Sequence, residues 1–181
     1  MNYANIKSRD IANGPGVRVS LFVSGCEHYC KGCFNKEAWD FDYGDLFTQD
    51  TINKLIDLLK PDFIDGLTLL GGEPFHPRNQ PALIELLRQI KEQLPNKSIW
   101  AFSGYLYDDI ISGNVSSKEL GLEFLKHLDV LVDGPFIENK KNLSLRFRGS
   151  ENQRLIDVKK SLSCGDIVIW KDWQDDKKGL I

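Results

Sequence analysis

A chain of 181 residues, 41% apolar and 27% charged, has the make-up of one ordinary globular domain, and a chain of this size buries about 70% of the surface its unfolded form exposes. A net charge of −3, with basic residues grouped no more densely than Lys140-Lys141 and Lys177-Lys178, argues against a basic face for nonspecific nucleic-acid binding. No apolar run approaches the ~20 residues of a membrane helix, and Met1 to Lys7 lacks the apolar core of a signal peptide, so the expectation is a cytoplasmic protein with neither a membrane nor a nucleic-acid partner. In that reducing compartment four cysteines read as metal or catalytic groups before they read as disulfides.

Val17 to Val23, rich in Val, Leu and Phe, is the first expected strand. Thr48 offers a cap for a helix carrying Ile52, Leu55, Ile56 and Leu59 at helical spacing, which Pro61 ends. Leu67 to Leu70 is a short buried strand, broken by Gly71-Gly72. Asn79 and Pro81 open a second helix with Leu83, Ile84, Leu87, Ile90 and Leu94 on one face. Ile99 to Phe102 is a strand, and Ser116 to Glu119 resembles a capping box for a helix running to about His127. Val130 to Val132 is a strand closed by Asp133-Gly134-Pro135, with weaker strands at Leu145 to Phe147 and Leu155 to Val158. From Gly165 the tail alternates briefly at Ile167 and Ile169, then turns polar. Strand followed by helix, repeated, predicts an α/β fold with a mostly parallel sheet of about six strands. Eight βα units typically need ~250 residues, so a partial barrel or an open sheet is left. In either, functional loops gather at the C-terminal ends of the strands, which places the segment after Val23 and the Gly-Gly turn on one face.

The segment Gly25-Cys26-Glu27-His28-Tyr29-Cys30-Lys31-Gly32-Cys33 puts three thiols within eight residues. Spacing of i, i+4, i+7 would also suit buried cysteines on a helix face, but Gly25 and Gly32 each cost ~1 kcal/mol in a helix. A structural zinc ion would need a fourth ligand, which His28, His76 or Cys164 could supply. A [4Fe-4S] cluster held by three local cysteines would leave one iron open to a substrate or cofactor.

C-x3-C-x2-C in a loop after the first strand resembles the signature of the radical S-adenosylmethionine (SAM) enzymes. The resemblance implies a partial (β/α)6 barrel with a mostly parallel sheet, and a [4Fe-4S] cluster on Cys26, Cys30 and Cys33. The open iron would chelate the amino and carboxylate groups of SAM, and one electron would split the sulfonium to give a 5′-deoxyadenosyl radical. Gly71-Gly72-Glu73-Pro74 by itself describes a turn. It is similar to the family's GGEP motif, which binds the ammonium of SAM, and carbonyl and carboxylate acceptors are what an ammonium needs. Gly32, Cys33 and Phe34 complete the cofactor contacts that the resemblance implies.

Within that family, Asp10 to Arg18 resembles the first segment of the glycyl-radical-enzyme activases. Cys-x-Gly-Cys-Phe-Asn, Trp100 to Tyr105 with Ser103-Gly104-Tyr105, Val130 to Phe136 and Arg148 to Arg154 resemble the branch that activates anaerobic (class III) ribonucleoside-triphosphate reductase. Only four cysteines are present, which excludes the ferredoxin-like insert of many other activases. The implied partners are that reductase and a flavodoxin or ferredoxin as electron donor. The implied reaction is hydrogen abstraction from a glycine of the reductase, with no acid or base required of this chain. A radical SAM domain is expected over residues 1–158, followed by an extension over 159–181. Cys164 reads as a structural thiol, His76 as a loop residue or cofactor contact, His127 as the close of a helix, and Trp170 and Trp173 as packing residues. Arg18, Asp133 and Arg148 are candidate contacts to cofactor or partner. The rivals are another radical SAM enzyme, either a lyase activase or one acting on a small molecule, and a non-catalytic iron-sulfur or zinc module.

Overall fold

The computed structural model describes residues 1–171. Their sheet contains β1 (Asn2–Asp10), β2 (Arg18–Val23), β3 (Asp45–Leu46), β4 (Gly66–Gly71), β5 (Ser98–Phe102), β6 (Val130–Asp133) and β7 (Arg154–Asp157), in the spatial order β3-β1-β2-β4-β5-β6-β7. The centre, β2-β4-β5-β6, is parallel, and β1, β3 and β7 add antiparallel edges. Crossovers run through α1 (Gln49–Leu59), α2 (Gln80–Gln93), and the pair α3 (Tyr107–Ser112) and α4 (Lys118–Lys126), while α5 (Val158–Cys164) follows β7. The fold is therefore mixed α/β with a parallel centre, and the described residues contain three βα crossovers rather than six. No helix among them is long and apolar enough to cross a membrane.

Alternation along the strands sorts the side chains to two faces. Val19, Leu21, Val23, Leu67, Leu69, Ile99, Ala101 and Leu131 pack with Leu55, Leu59, Leu83, Leu87, Ile90 and Phe124 of the helices, forming the larger core. The opposite face carries Arg18, Thr68, Trp100, Val130 and Val132, and Trp100 there meets Phe147 and Trp170 edge to face with ring centroids 5.5 and 5.0 Å apart. Trp170 is thus a packing residue, and Trp173 lies outside the described residues. Residues 159–171 are built onto the sheet: Ser161 is buried, Trp170 N–H donates to Leu155 O at 2.8 Å, and Ile169 bridges Ile156.

Several local expectations need correction. The half-exposed strand β1 was not foreseen, because a strand buried on only part of one face leaves no apolar alternation in Asn2 to Asp10. Leu145 to Phe147 is not a strand; Phe147 sits at φ +56°, a left-handed conformation that ends any ladder. The cap of α4 is Ser117, one residue later than expected, and its hydroxyl accepts the Leu120 N–H at 3.2 Å.

Arg18 and Asp133 are structural rather than ligand-facing. Arg18 is fully buried at the N-terminal end of the parallel strands and donates to Thr68 Oγ1, Ser98 Oγ, Leu67 O and Ser98 O. Asp133, fully buried, accepts from Tyr107 N–H at 2.8 Å and from Arg154 Nε at 3.0 Å. Hydrogen bonding to Asp133 raises the Arg154 guanidinium pKa above its ordinary value, with burial opposing. Arg154→Met would leave the Asp133 carboxylate buried without its ion partner, and because Arg154 is itself partly exposed the lower end of the usual range applies, a loss of about 3 kcal/mol. Urea unfolding would show it as a lower midpoint at unchanged slope. Arg148 holds its own loop, donating to Gln153 O at 2.7 Å.

Candidate functional site

Four connections meet at the C-terminal ends of the parallel strands: residues 24–33 after β2, 72–79 after β4, 103–106 after β5 and 134–153 after β6. The first two lie side by side because Val23 pairs with Gly71 in the parallel ladder. They are then stitched together. Gly72 N–H donates to Val23 O at 2.7 Å, Glu73 N–H to Gly25 O at 2.8 Å, and the buried Asn79 amide to Ser24 O and Glu73 O, both at 3.0 Å. Asn79 is therefore a tie between these loops, and its side chain does not cap α2. A Cβ on Gly72 would lie 2.7 Å from Gly25 O, and one on Gly25, at φ +91°, would overlap the Phe41 ring, so this approach requires glycine twice.

The cysteine segment is not helical, which removes the helix-face reading. Tyr29 at φ +48° and Gly32 at φ +77° turn the chain, leaving Cys26, Cys30 and Cys33 partly exposed and unpaired. Backbone N–H groups serve each sulfur: His28 at Cys26, Phe136 at Cys30 and Asn35 at Cys33, the last at 3.4 Å. Burial pushes the Cys26 thiol up to about 12, opposed by the His28 N–H and reinforced by Glu73; burial also raises Cys30, opposed by the Phe136 N–H. A cation or cluster that displaces those protons would find donors already aimed at the resulting thiolates. Three thiols with N–H groups directed at sulfur, on a loop whose glycines let the backbone close in, are a donor set suited to an iron-sulfur core. Among the described residues no three His, Cys, Asp or Glu side chains converge as ligands of a single metal ion do.

Cys164 stands apart at the end of α5, its thiol near Ser161 O and Asp166 O. Phe34 is 86% exposed, and Gly32 lies against Glu138 and Phe136. Lys31 pairs with Glu138 at 3.1 Å, so residues 134–153 flank the cysteines on that side. His76 faces Glu27 at 3.4 Å and stacks obliquely on Phe41, while His127 closes α4 beside Glu123.

Glu73 is the hub that the sequence left half-described. It is 1% exposed, and both its oxygens are engaged. Oε1 accepts from Phe75 N–H at 2.8 Å and Ser103 Oγ at 2.9 Å; Oε2 accepts from Gly104 N–H at 2.7 Å and lies 2.8 Å from His28 Nε2. In the sequence Ser103-Gly104 is only part of a segment resembling the activase branch, and His28 only a candidate fourth ligand for zinc. The available signal was positional: a Ser-Gly pair after one strand beside a Gly-Gly pair after its neighbour.

Comparison with known proteins places this arrangement. The family model described as a 4Fe-4S single cluster domain matches residues 12–156. The anaerobic ribonucleoside-triphosphate reductase-activating protein of Enterobacteria phage T4 is 43% identical over 155 residues, covering 86% of this chain and 93% of its own. Those of Vibrio cholerae and Escherichia coli K12 are 42% and 40% identical, each alignment covering 84% of this chain and 96% of the relative. Matched along nearly the whole of these relatives, the chain belongs to the family of anaerobic ribonucleoside-triphosphate reductase-activating proteins, within the single-cluster 4Fe-4S domains.

Proposed function

We propose that this chain activates an anaerobic ribonucleoside-triphosphate reductase by placing a glycyl radical on it, with a [4Fe-4S] cluster held by Cys26, Cys30 and Cys33 and SAM bound beside Gly71, Gly72, Glu73 and Pro74. The observation that carries the reading is the stitching of the three-thiol loop to the Gly-Gly-Glu-Pro turn at one end of the parallel strands. Held there and reduced, the cluster would supply one electron for reductive cleavage of SAM at its sulfonium, with methionine as the leaving group, which is the chemistry needed for hydrogen abstraction from a reductase glycine.

The chain's own residues bind and position. Cys26, Cys30 and Cys33 would hold the cluster and leave one iron open to the cofactor, and the N–H groups of His28, Phe136 and Asn35 would stabilise the sulfur charge. Glu73 offers its carboxylate to the cofactor's ammonium, and Gly32, Cys33 and Phe34 are the further cofactor contacts that the family resemblance implies. The open sheet serves as the centre of the family's partial barrel, residues 1–158 forming the radical SAM domain and the segment from 159 bracing its last strand. The electron comes from a reduced flavodoxin or ferredoxin. No proton-transfer residue is required, because the cofactors carry the chemistry.

The test is anaerobic reconstitution with iron and sulfide, then SAM and dithionite, with 5′-deoxyadenosine as the readout. Glu73→Gln keeps the shape but loses a charged acceptor, and hydrogen bonds to charged groups are strong enough that the SAM dissociation constant is expected to rise about tenfold. Cluster absorbance should survive, since no sulfur ligand is touched. An unchanged constant would return Gly71 to Pro74 to the status of a turn.

A further inference from the structure

Glu73 has no room for another donor unless a present one leaves. A carboxylate offers about four lone-pair sites, and here Phe75 N–H, Ser103 Oγ, Gly104 N–H and His28 Nε2 fill them. Three of these four are fixed by the backbone. The Phe75 amide belongs to the turn that carries Glu73. Gly104 contributes a main-chain amide, and Ser103 Oγ is tied into the same loop by accepting Tyr105 N–H at 3.0 Å. Moving either amide moves the turn after β4 or β5, and rotating the Ser103 hydroxyl would also break the hydrogen bond it accepts from Tyr105 N–H. His28 differs, because it reaches Glu73 by its side chain alone, from the loop between Cys26 and Cys30. Its side chain is 18% exposed against 1% for Glu73, so the ring lies on the solvent side of the contact. Beyond that contact it packs on Tyr105, with centroids 4.4 Å apart, and over Gly104, where an added Cβ would fall 2.5 Å from the imidazole. A rotation about its side-chain bonds opens one site on Oε2, which keeps its bond from Gly104 N–H, and requires no change in the backbone hydrogen bonds.

We propose that His28 is a displaceable occupant of the ammonium position: it satisfies Glu73 Oε2 while SAM is absent and yields that oxygen to the SAM ammonium on binding. This rests on the proposed function. His28 is then a positioning residue that acts through Glu73. It adds a fourth hydrogen bond to the buried carboxylate in the free protein, beside those from Phe75, Ser103 and Gly104, and it weakens SAM binding by competing for one oxygen. Imidazole and ammonium are both N–H donors, so one replaces the other without rearranging Ser103, Gly104 or Phe75.

The test is a SAM titration of the cluster-loaded protein, followed by the change in the reduced cluster's EPR signal and expressed per cluster. His28→Phe keeps a ring against Tyr105 and removes the donor; His28→Ala removes both. Each is expected to bind SAM roughly threefold to tenfold more tightly, the worth of one partly rehydrated hydrogen bond. In combination with Glu73→Gln the gain should vanish, because the contested charged oxygen is gone. A purely structural His28 would give the opposite sign: a dissociation constant unchanged or raised in either single variant overturns the proposal. A second measurement needs no variant. Carbethoxylation of His28 in the unaltered holoprotein, located by mass spectrometry, should quicken when SAM is saturating, and an unchanged or slower rate overturns the displacement. No EPR response to SAM in the unaltered protein would remove this inference and the proposed function together, whereas normal SAM binding without tightening in the variants removes the inference alone.

Discussion

Cys30→Ala, reconstituted with iron and sulfide, is expected to produce no 5′-deoxyadenosine above background, and Cys26→Ala and Cys33→Ala should match it. The loss should be complete rather than graded. Each of the three sulfurs would hold a different iron, and the remaining cysteine, Cys164, is placed at the exposed end of α5 with Ser161 and Asp166 as its contacts. No side-chain rotation brings it to a loop after β2. The loop also cannot slide to offer a substitute, because Gly25 N–H is fixed to Ala38 O at 2.8 Å and Cys26 N–H to Trp39 O at 3.1 Å. Cys164→Ala should retain the cluster's absorbance and its SAM cleavage. If Cys164→Ala lost the absorbance and Cys30→Ala kept it, the ligand assignment would be wrong.

How much of this was legible beforehand follows from the reach of each signal. The strands β2, β4, β5 and β6 and the helices α1, α2 and α4 are local patterns, and Val19, Leu21, Leu67, Leu69, Ile52 and Leu55 are buried where periodicity put them. The cysteine triplet and the Gly-Gly-Glu-Pro turn are short motifs, and their adjacency followed from parallel strands placing successive loops at one end. What sequence could not give are contacts between residues far apart in the chain. His28 and Glu73 are 45 positions apart, and Glu73 and Gly104 are 31. No spacing rule links them, because the link exists only once β2, β4 and β5 are adjacent. Arg18 shows the converse error. A charged residue beside a Gly-Pro-Gly turn invites a ligand reading, yet four main-chain and hydroxyl acceptors hold it inside the fold. Strand β1 is silent for a third reason: it is buried on only part of one face, so Asn2 to Asp10 carry no apolar alternation, and only its pairing with β2 reveals it.

Mixed anaerobically with SAM, a reductant and its cognate class III reductase, this protein is expected to generate a doublet EPR signal located on the larger partner. The substrate atom in the proposed reaction is a Cα–H in another folded chain. Reacting atoms in productive complexes stand roughly 3–3.5 Å apart, so a loop of the reductase must leave its own fold and reach the ends of β2 and β4. That approach needs a protein–protein contact of at least ~1,000 Å², though a transient one. The surroundings of the cysteines are suited to such a contact: Tyr29 and Phe34 are exposed within and beside the cysteine loop, as are Ile137 and Leu143 in the flanking segment. Exposed aromatics close to a reactive centre are the side chains that most often anchor interfaces. Once the radical is formed, admission of air should cleave the reductase backbone at the radical glycine, and the two fragments would identify that residue by mass. The same mixture made with Cys30→Ala should show neither the doublet nor the fragments. Verified SAM cleavage without a radical on the cognate reductase would defeat the activase reading and leave a SAM-cleaving protein whose hydrogen donor is a different molecule.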